Sequence, residues 1–312
     1  MVRTQKTPVT TLRAFPAFLR FFVRRKIFGK PVPLLGSFKI TYQCNLRCPG
    51  CPFHQRGSGP GSTMDRRTAL RTLDRLQAEG LPIIVFEGGE PFLWKDGDFT
   101  FRDLVLEARK RFPRVAVTTN GTFPLDVPVD TLWVSLDGLR ETHNALRSGS
   151  FDRVAENLEK TQHRKVFAHI TLNRRNRQDL RDMAEWVAGH PTLRGLTVQL
   201  FYPYNQGEAP LALAPGERRA ALEIVMDLKK RGYPILNSAE RLRAMIENTW
   251  TCHDDLLVNV DPDGSITRGC YVKGRGVVNC RQCGFTPVAE ASGALDFRTQ
   301  SLIAGWRLFV QA

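Results

Sequence analysis

Three cysteines stand close together in the run Cys44-Asn45-Leu46-Arg47-Cys48-Pro49-Gly50-Cys51, with the spacing C-x3-C-x2-C. Three thiolates on one tight loop can hold a metal centre and leave one coordination position open. A structural zinc site wants four protein ligands, and His54 could in principle supply the fourth and make a zinc knuckle. A cubic iron–sulfur cluster on three thiolates instead keeps one iron free for an exogenous ligand, as catalysis requires. A second group, Cys252, Cys270, Cys280 and Cys283, has four thiols and can close a site completely. Zinc and a second iron–sulfur cluster both satisfy that count. The total of seven cysteines is odd, which argues against a secreted disulfide framework.

The elements that must position these groups follow from the apolar pattern. Short β-rich runs lie at 36–43, 82–89, 114–120, 131–137, 165–173 and 195–203. Segments of helical spacing separate most of them, at 65–79, 100–112, 151–163, 177–189 and 216–231. Alternation of this kind is the pattern of a parallel α/β architecture. The Pro-rich stretch 121–130 is too short for an ordinary crossover helix between the third and fourth strands. The cysteine loop directly follows the first strand, at the end where α/β barrels place their active sites. After Gly232 the rhythm changes to a helix at 238–248, two short strands around Asp261-Pro262-Asp263-Gly264, and a last helix near 297–310.

Polar residues cluster at the ends of the later strands. Gly88-Gly89-Glu90-Pro91 ends the second, where paired glycines permit close backbone approach and a carboxylate can pair with an ammonium group. Thr118-Thr119-Asn120-Gly121-Thr122 ends the third, Ser135-Leu136-Asp137-Gly138 the fourth, and Asn173 the fifth. Taken singly, each also fits ordinary strand-end capping and turn formation.

Together these motifs resemble the radical S-adenosylmethionine (SAM) superfamily across about residues 36–205. The resemblance implies an α/β fold, a partial (β/α)6 TIM-type barrel with a small C-terminal Cys-rich extension. It implies a [4Fe–4S] cluster on Cys44, Cys48 and Cys51 whose free iron chelates SAM. SAM would be cleaved to methionine and a 5′-deoxyadenosyl radical, with electrons from a donor such as flavodoxin or ferredoxin. It makes Gly88, Gly89, Glu90, Asn120, Ser135, Asp137, Arg147 and Asn173 the expected SAM contacts. Glu90 would face the amino group, and Arg147, in the segment with His143 and Asn144, the methionyl carboxylate. One position departs from the family pattern: Gly50 stands where many members carry an aromatic residue near the adenine, and Phe53 is the expected substitute.

The later cysteines resemble the twitch or shortened SPASM extension, in which a hairpin separates the first two ligands of an auxiliary [4Fe–4S] cluster. Three sections follow: a basic lead-in at 1–35, the core barrel at 36–232, and the extension at 233–312. The lead-in and the late Cys280-Arg281-Gln282-Cys283-Gly284-Phe285 are similar to those of adenosylhopane synthase-like proteins, which implies a lipid or isoprenoid substrate. Peptide modification is the alternative, since twitch and SPASM extensions often accompany peptide substrates.

Composition bears on partners. Forty-five Lys and Arg against thirty-one Asp and Glu give a net charge of +14, a field that favours anionic partners or reflects a basic surface. A zinc protein binding nucleic acid by charge alone would explain neither the open three-Cys loop nor GGEP, so nucleic acid is not expected. Residues 11–28 alternate aromatic and cationic side chains, and no acidic residue precedes Asp65. A helix there would suit either peripheral association with an anionic membrane or packing against the barrel's open end. The sequence shows neither a signal-peptide pattern nor a spanning apolar run, and a cytoplasmic location is expected.

Overall fold

The computed structural model describes residues 9–51, 53, 56–203, 209–273, 280 and 285–311, with side chains from residue 14 onward. His54 and Cys283 lie outside the described residues. Six strands follow the expected positions: β1 (Leu35–Thr41), β2 (Ile83–Gly88), β3 (Arg114–Thr119), β4 (Thr131–Ser135), β5 (Val166–Leu172) and β6 (Leu193–Leu200). They pair in parallel and in sequential order. All their C-terminal ends therefore meet at one edge.

Helices cover the outside. The chain enters at α1 (Val9–Phe22); α2 (Arg66–Glu79) links β1 to β2 and α3 (Phe101–Arg111) links β2 to β3. No helix separates β3 from β4, as the Pro-rich link implied. Two helices, α4 (Arg140–Leu146) and α5 (Phe151–Lys160), follow β4, and α6 (Leu180–Gly189) follows β5. Then come α7 (Pro215–Lys230) and α8 (Ala239–Glu247). The outward face of the sheet packs on them through a continuous apolar core that includes Phe38, Phe86, Val117, Val134 and Ile170. Burial on both faces is why the strands read as near-continuous Val/Ile/Phe runs.

The expected late hairpin forms as β7 (Leu257–Val260) and β8 (Ile266–Arg268), turned by Gly264 at φ +84°. It does not stand apart from the barrel sheet. β7 pairs in parallel with β1, Leu35 opposite Leu257 through Phe38 opposite Val260. The sheet thus gains two strands beyond β1 and reads β8-β7-β1-β2-β3-β4-β5-β6. The expected last helix forms as α10 (Thr299–Phe309), and a further helix, α9 (Thr286–Leu295), precedes it, the two separated where Phe297 takes φ +57°.

A second apolar cluster lines the concave side at the barrel's N-terminal end. Phe21 of α1, Ala291 and Leu295 of α9, and Phe309 of α10 close on Val85, Ala116 and Trp133. Arg25 pins the lead-in by a two-pronged ion pair to Asp255, at 2.7 and 3.2 Å. The lead-in helix thus packs against the barrel's open end with one face; its other face leaves Phe15 and Leu19 exposed.

Candidate active site

The loop after β1 brings Cys44, Cys48 and Cys51 to the C-terminal edge of the sheet, all partly buried. Its turns are held from several sides. Cys51 donates its backbone N–H to Cys48 O at 3.1 Å. The N–H groups of Leu46 and Phe53 each point at a cysteine sulfur, 3.4 Å from Cys44 Sγ and Cys51 Sγ respectively. Asn120, at the exit of β3, reaches across to donate to Asn45 Oδ1 at 2.8 Å and lies 3.7 Å from Cys44 Sγ. Asn45 in turn donates to Thr122 Oγ1 at 2.9 Å. Donors aimed at the sulfurs favour their anionic form. Burial works the other way, raising the Cys44 thiol and pushing Cys48 up to about 11, with the Arg147 guanidinium opposing it at Cys48. Deprotonation on binding metal overcomes that cost. Three thiols, sulfur-directed donors and a cation beside them fit an anionic cluster with three protein ligands.

The two glycines of GGEP have a local cause. A Cβ on Gly89 would come within 2.1 Å of Gln43 O, and one on Gly88 within 2.5 Å of Thr41 O. Gly88 also takes φ +121°, which L side chains rarely adopt. The exit of β2 runs hard against the exit of β1, and Gly89 and Glu90 donate to Thr41 O and Gln43 O, both at 2.8 Å. Glu90 does not project into the cavity as an open ammonium partner, as the sequence reading expected. Its carboxylate is fully buried and accepts from Asn120 N (2.7 Å), Thr119 Oγ1 (2.8 Å) and Phe92 N (3.1 Å). Burial pushes it up to about 7 despite these donors. Its visible work is to lock the exit of β2 to that of β3.

A cavity of about 710 Å3 opens beneath the cysteine loop, and Gly88, Gly89, Asn120 and Ser135 line it. Asp137, Arg147 and Asn173 line it too. Arg147 Nε donates to Asp137 Oδ2 at 2.6 Å, while Asp137 Oδ1 accepts from Thr171 N at 2.8 Å. That pairing holds the guanidinium well into its charged form in spite of burial. His143 supports the pair from below: its Nδ1 accepts from Asp137 N at 3.4 Å and its Nε2 lies 3.0 Å from Ser150 Oγ. Burial lowers His143 to about 4, which keeps it neutral. Asn144 caps α5 by accepting from Phe151 N, and Asn173 turns the chain after β5 by accepting from Arg175 N, both at 2.9 Å.

At Gly50 the structure adds residues that the sequence reading missed. A Cβ there would meet Phe201 at 2.9 Å and Leu211 at 3.0 Å, so both pack against the loop from beyond β6. Phe53 also lines the cavity, stacked on Tyr42 with ring centroids 5.5 Å apart and tilted toward Tyr271 at 6.0 Å. The only signal for Phe201 was the aromatic strand end Leu200-Phe201-Tyr202.

Cys252, Cys270 and Cys280 line the same cavity. Cys252 precedes β7 and Cys270 follows β8, so the hairpin separates them. Cys270 donates its N–H to Asp254 Oδ2 at 3.3 Å, and Lys273 Nζ lies 2.9 Å from the same oxygen. Among the described residues no three His, Cys, Asp or Glu side chains converge on a single ion site.

A parallel barrel with three cysteines after its first strand and polar groups at each later exit defines a class of enzyme, and comparison with known proteins agrees. The radical SAM superfamily model matches residues 38–187. Fe-coproporphyrin III synthase of Methanosarcina barkeri is 27% identical over 240 residues, 71% of this chain and 57% of that protein. The antilisterial bacteriocin subtilosin biosynthesis protein AlbA of Bacillus subtilis is 26% identical over 171 residues, 50% of this chain and 37% of that one. The chain thus spans little more than half of one relative and about a third of the other. In fold it resembles Streptococcus suis SuiB bound to precursor peptide SuiA, with a TM-score of 0.63 at 14% identity over 96% of this chain and 74% of SuiB. The family model covers just under half of this chain, and over residues 38–187 the chain resembles the radical SAM superfamily of enzymes.

Proposed function

We propose that this chain is a radical SAM enzyme carrying a [4Fe–4S] cluster on Cys44, Cys48 and Cys51. Bound there with SAM, the reduced cluster supplies one-electron cleavage to methionine and a 5′-deoxyadenosyl radical that takes a hydrogen atom from substrate. The observation that carries this is the β1 exit loop: three partly buried thiols, sulfur-directed donors and Arg147 on one cavity. Arg147, oriented by Asp137, is the residue for the SAM carboxylate, since a guanidinium can pair with it bidentately. The backbone of Gly88 and Gly89 is the candidate for its amino group, with Glu90 holding that backbone in place. Asn120, Ser135 and Asn173 lie within the same wall. Cys252, Cys270, Cys280 and Cys283 are proposed to hold an auxiliary [4Fe–4S] cluster, supported by the hairpin between the first two. Flavodoxin or ferredoxin is the proposed electron donor.

Anaerobic reconstitution with iron and sulfide, followed by SAM and a reductant, tests this reading. About eight irons per chain and release of 5′-deoxyadenosine are expected for two cubane clusters. Four irons would remove the auxiliary cluster, and no cleavage product in any reducing system would end the enzyme reading.

For substrate we favour a lipid or isoprenoid met at an anionic membrane surface, following the likeness to adenosylhopane synthase-like proteins. The supporting feature is a face with exposed Phe15, Leu19, Ile27 and Phe28 beside exposed Arg20 and Lys26. No helix among the described residues is long and apolar enough to cross a membrane, so such contact would be peripheral. Because Ala14 and Phe21 are buried, deleting the lead-in would disturb the fold. The clean test is Phe15→Ser with Leu19→Ser in co-sedimentation with phosphatidylcholine–phosphatidylglycerol vesicles; binding equal to the unaltered chain sinks the membrane reading. A peptide substrate is the second reading, favoured by likeness to AlbA, named for subtilosin biosynthesis, and to SuiB, solved with its precursor peptide.

A further inference from the structure

The lumen of the barrel changes character along its axis. On β2 the residues facing inward run Ile83, Val85, Glu87 toward the cysteine end; on β4, Trp133 then Ser135; on β5, Phe167 then His169. Strand period two puts each series on one face, so every step upward crosses from hydrocarbon to polar. The upper ring includes Ser37, Glu87, Ser135, His169, Thr197 and Gln199, all on the cavity wall. The lower chamber includes Leu34, Val85, Trp133, Leu257, Leu302 and Phe309. The cavity continues to the opposite end of the barrel, where the exposed Phe15 and Leu19 of α1 and the exposed Trp306 of α10 also line it. It therefore has a mouth between these helices, remote from the cysteine loop.

The mouth opens within an unusual patch. Nine large apolar side chains are exposed among the described residues, and seven of them fall on the segments that flank it: Phe15, Leu19, Ile27 and Phe28 on α1 and the turn after it, and Phe297, Ile303 and Trp306 on the α9–α10 link and α10, with Phe15, Leu19 and Trp306 on the cavity wall itself. Exposed Arg20, Lys26, Arg298 and Arg307 share these segments. That charge complements anionic headgroups, which draw basic residues to a surface.

We propose that the lower chamber takes the hydrocarbon chain of an amphiphilic substrate, admitted between α1 and α10, with its polar reactive end stopping at the ring under the cysteine loop. This rests on the lipid reading above and adds a route and an orientation. A peptide is disfavoured as occupant, because Leu34, Val85, Trp133, Leu257 and Phe309 offer its backbone N–H and C=O groups no partner, and of the polar side chains on this side Ser301 already donates to Glu290 and Asn237 is bonded to Val198. A saturated or isoprenoid chain needs none.

Gly305 offers a plug. It lines the cavity on α10, and a Cβ there meets nothing within 4 Å, so Gly305→Trp starts from open space and puts its ring where the cavity is lined. Gly189, exposed at the end of α6 and equally open, gives the matched control Gly189→Trp. Binding of pyrene-labelled hexadecanoic acid to the cluster-loaded, SAM-bound protein is the measurement, made without vesicles so that it reads the chamber and not the membrane face. The unaltered protein and Gly189→Trp should bind alike, and Gly305→Trp at least tenfold more weakly. Equal binding by Gly305→Trp, or no binding by the unaltered protein, overturns the proposal. Photolabelling of the unaltered protein with a diazirine-bearing hexadecanoic acid adds an arm that needs no variant. Label on residues 14–22 and 299–309 supports the route, and label confined to the exposed Leu106 or Ile224 surfaces refutes it. Capture of an apolar decapeptide in place of the acyl probe would also refute it, in favour of a peptide. Loss of vesicle binding by the lead-in variants with acyl binding intact would separate the membrane face from the chamber.

Discussion

Cys44, Cys48 and Cys51 are partly buried on a loop tied to β1, β2 and β3, with backbone N–H groups already facing two of the sulfurs. Cys252 and Cys280 are exposed; Cys270 is partly buried, gives its backbone N–H to Asp254 and has the backbone N–H groups of Val272 and Lys273 beside its thiol. The first set sits on one short loop. The other takes its ligands from segments spaced along the chain. The difference suits the two tasks proposed. A site that must leave one position for SAM cannot let metal binding alone decide its geometry, whereas a closed four-thiolate site can be organised by the metal itself.

The sharpest way to break this comparison is to remove one ligand from each set. Cys48→Ala should abolish 5′-deoxyadenosine release, a loss of at least a thousandfold, while about four irons per chain are kept, the content of one cubane cluster. Cys252→Ala should halve the iron as well, yet keep SAM cleavage and lose substrate conversion. Equal loss of cleavage in both would mean that the sets form one functional unit. A smaller effect is expected at Arg147. Its replacement by Ala removes a charge-assisted contact worth about 1.5–3 kcal/mol, so SAM should bind roughly 10- to 100-fold more weakly with the cluster content unchanged, as read by equilibrium binding. Replacement of Asn120 by Ala, which frees the loop at Asn45 and beside Cys44, should shift the electron paramagnetic resonance of the reduced cluster more than it weakens SAM.

The mildest test concerns proton balance beneath the site. Burial holds His143 and His169 to about 4, well below the ordinary histidine value near 6.5. Between those values the unfolded chain binds more protons than the folded one, so stability falls as pH drops from about 6.5 to 4 and is fully present above that window. The full shift corresponds to about 3 kcal/mol per histidine. His143→Gln should flatten that decline in urea unfolding curves; an unchanged slope would mean that His143 does not stay neutral. The Cys270 set has no comparable buried histidine among the described residues, so its variants should keep the slope.

Much of the barrel was legible because buried parallel strands must be apolar on both faces. The run at 114–120 became β3 at Arg114–Thr119, and the Pro-rich link after it carried no helix, as its prolines required. The three-cysteine loop was legible because its ligands are local in sequence. Long-range pairing was not. Nothing in Leu257-Val258-Asn259-Val260 announced that it would lie beside β1 rather than in a free hairpin, since any short apolar strand can add to any open edge. Glu90 was read as a ligand from its motif, yet its partners Thr119 and Asn120 come from another strand exit and bury it. Phe201 beside Gly50 escaped for the same reason. The lead-in packs Phe21 into the barrel and leaves Phe15 outside, because a helix has two faces and periodicity does not say what covers each.

The floor of the barrel has a consequence in time. It is completed by α10, whose Phe309 carbonyl accepts from Arg114 across 195 residues of chain and whose Phe309 ring meets Trp133 at 5.8 Å. During synthesis, β1 to β6 can assemble long before these residues leave the ribosome. Contacts so distant in sequence form late, and a nascent chain would hold an open-bottomed barrel with its apolar lumen facing water. Such a species is prone to aggregate. Newly made molecules should therefore depend on chaperones until α10 docks and lines the far end of the lumen.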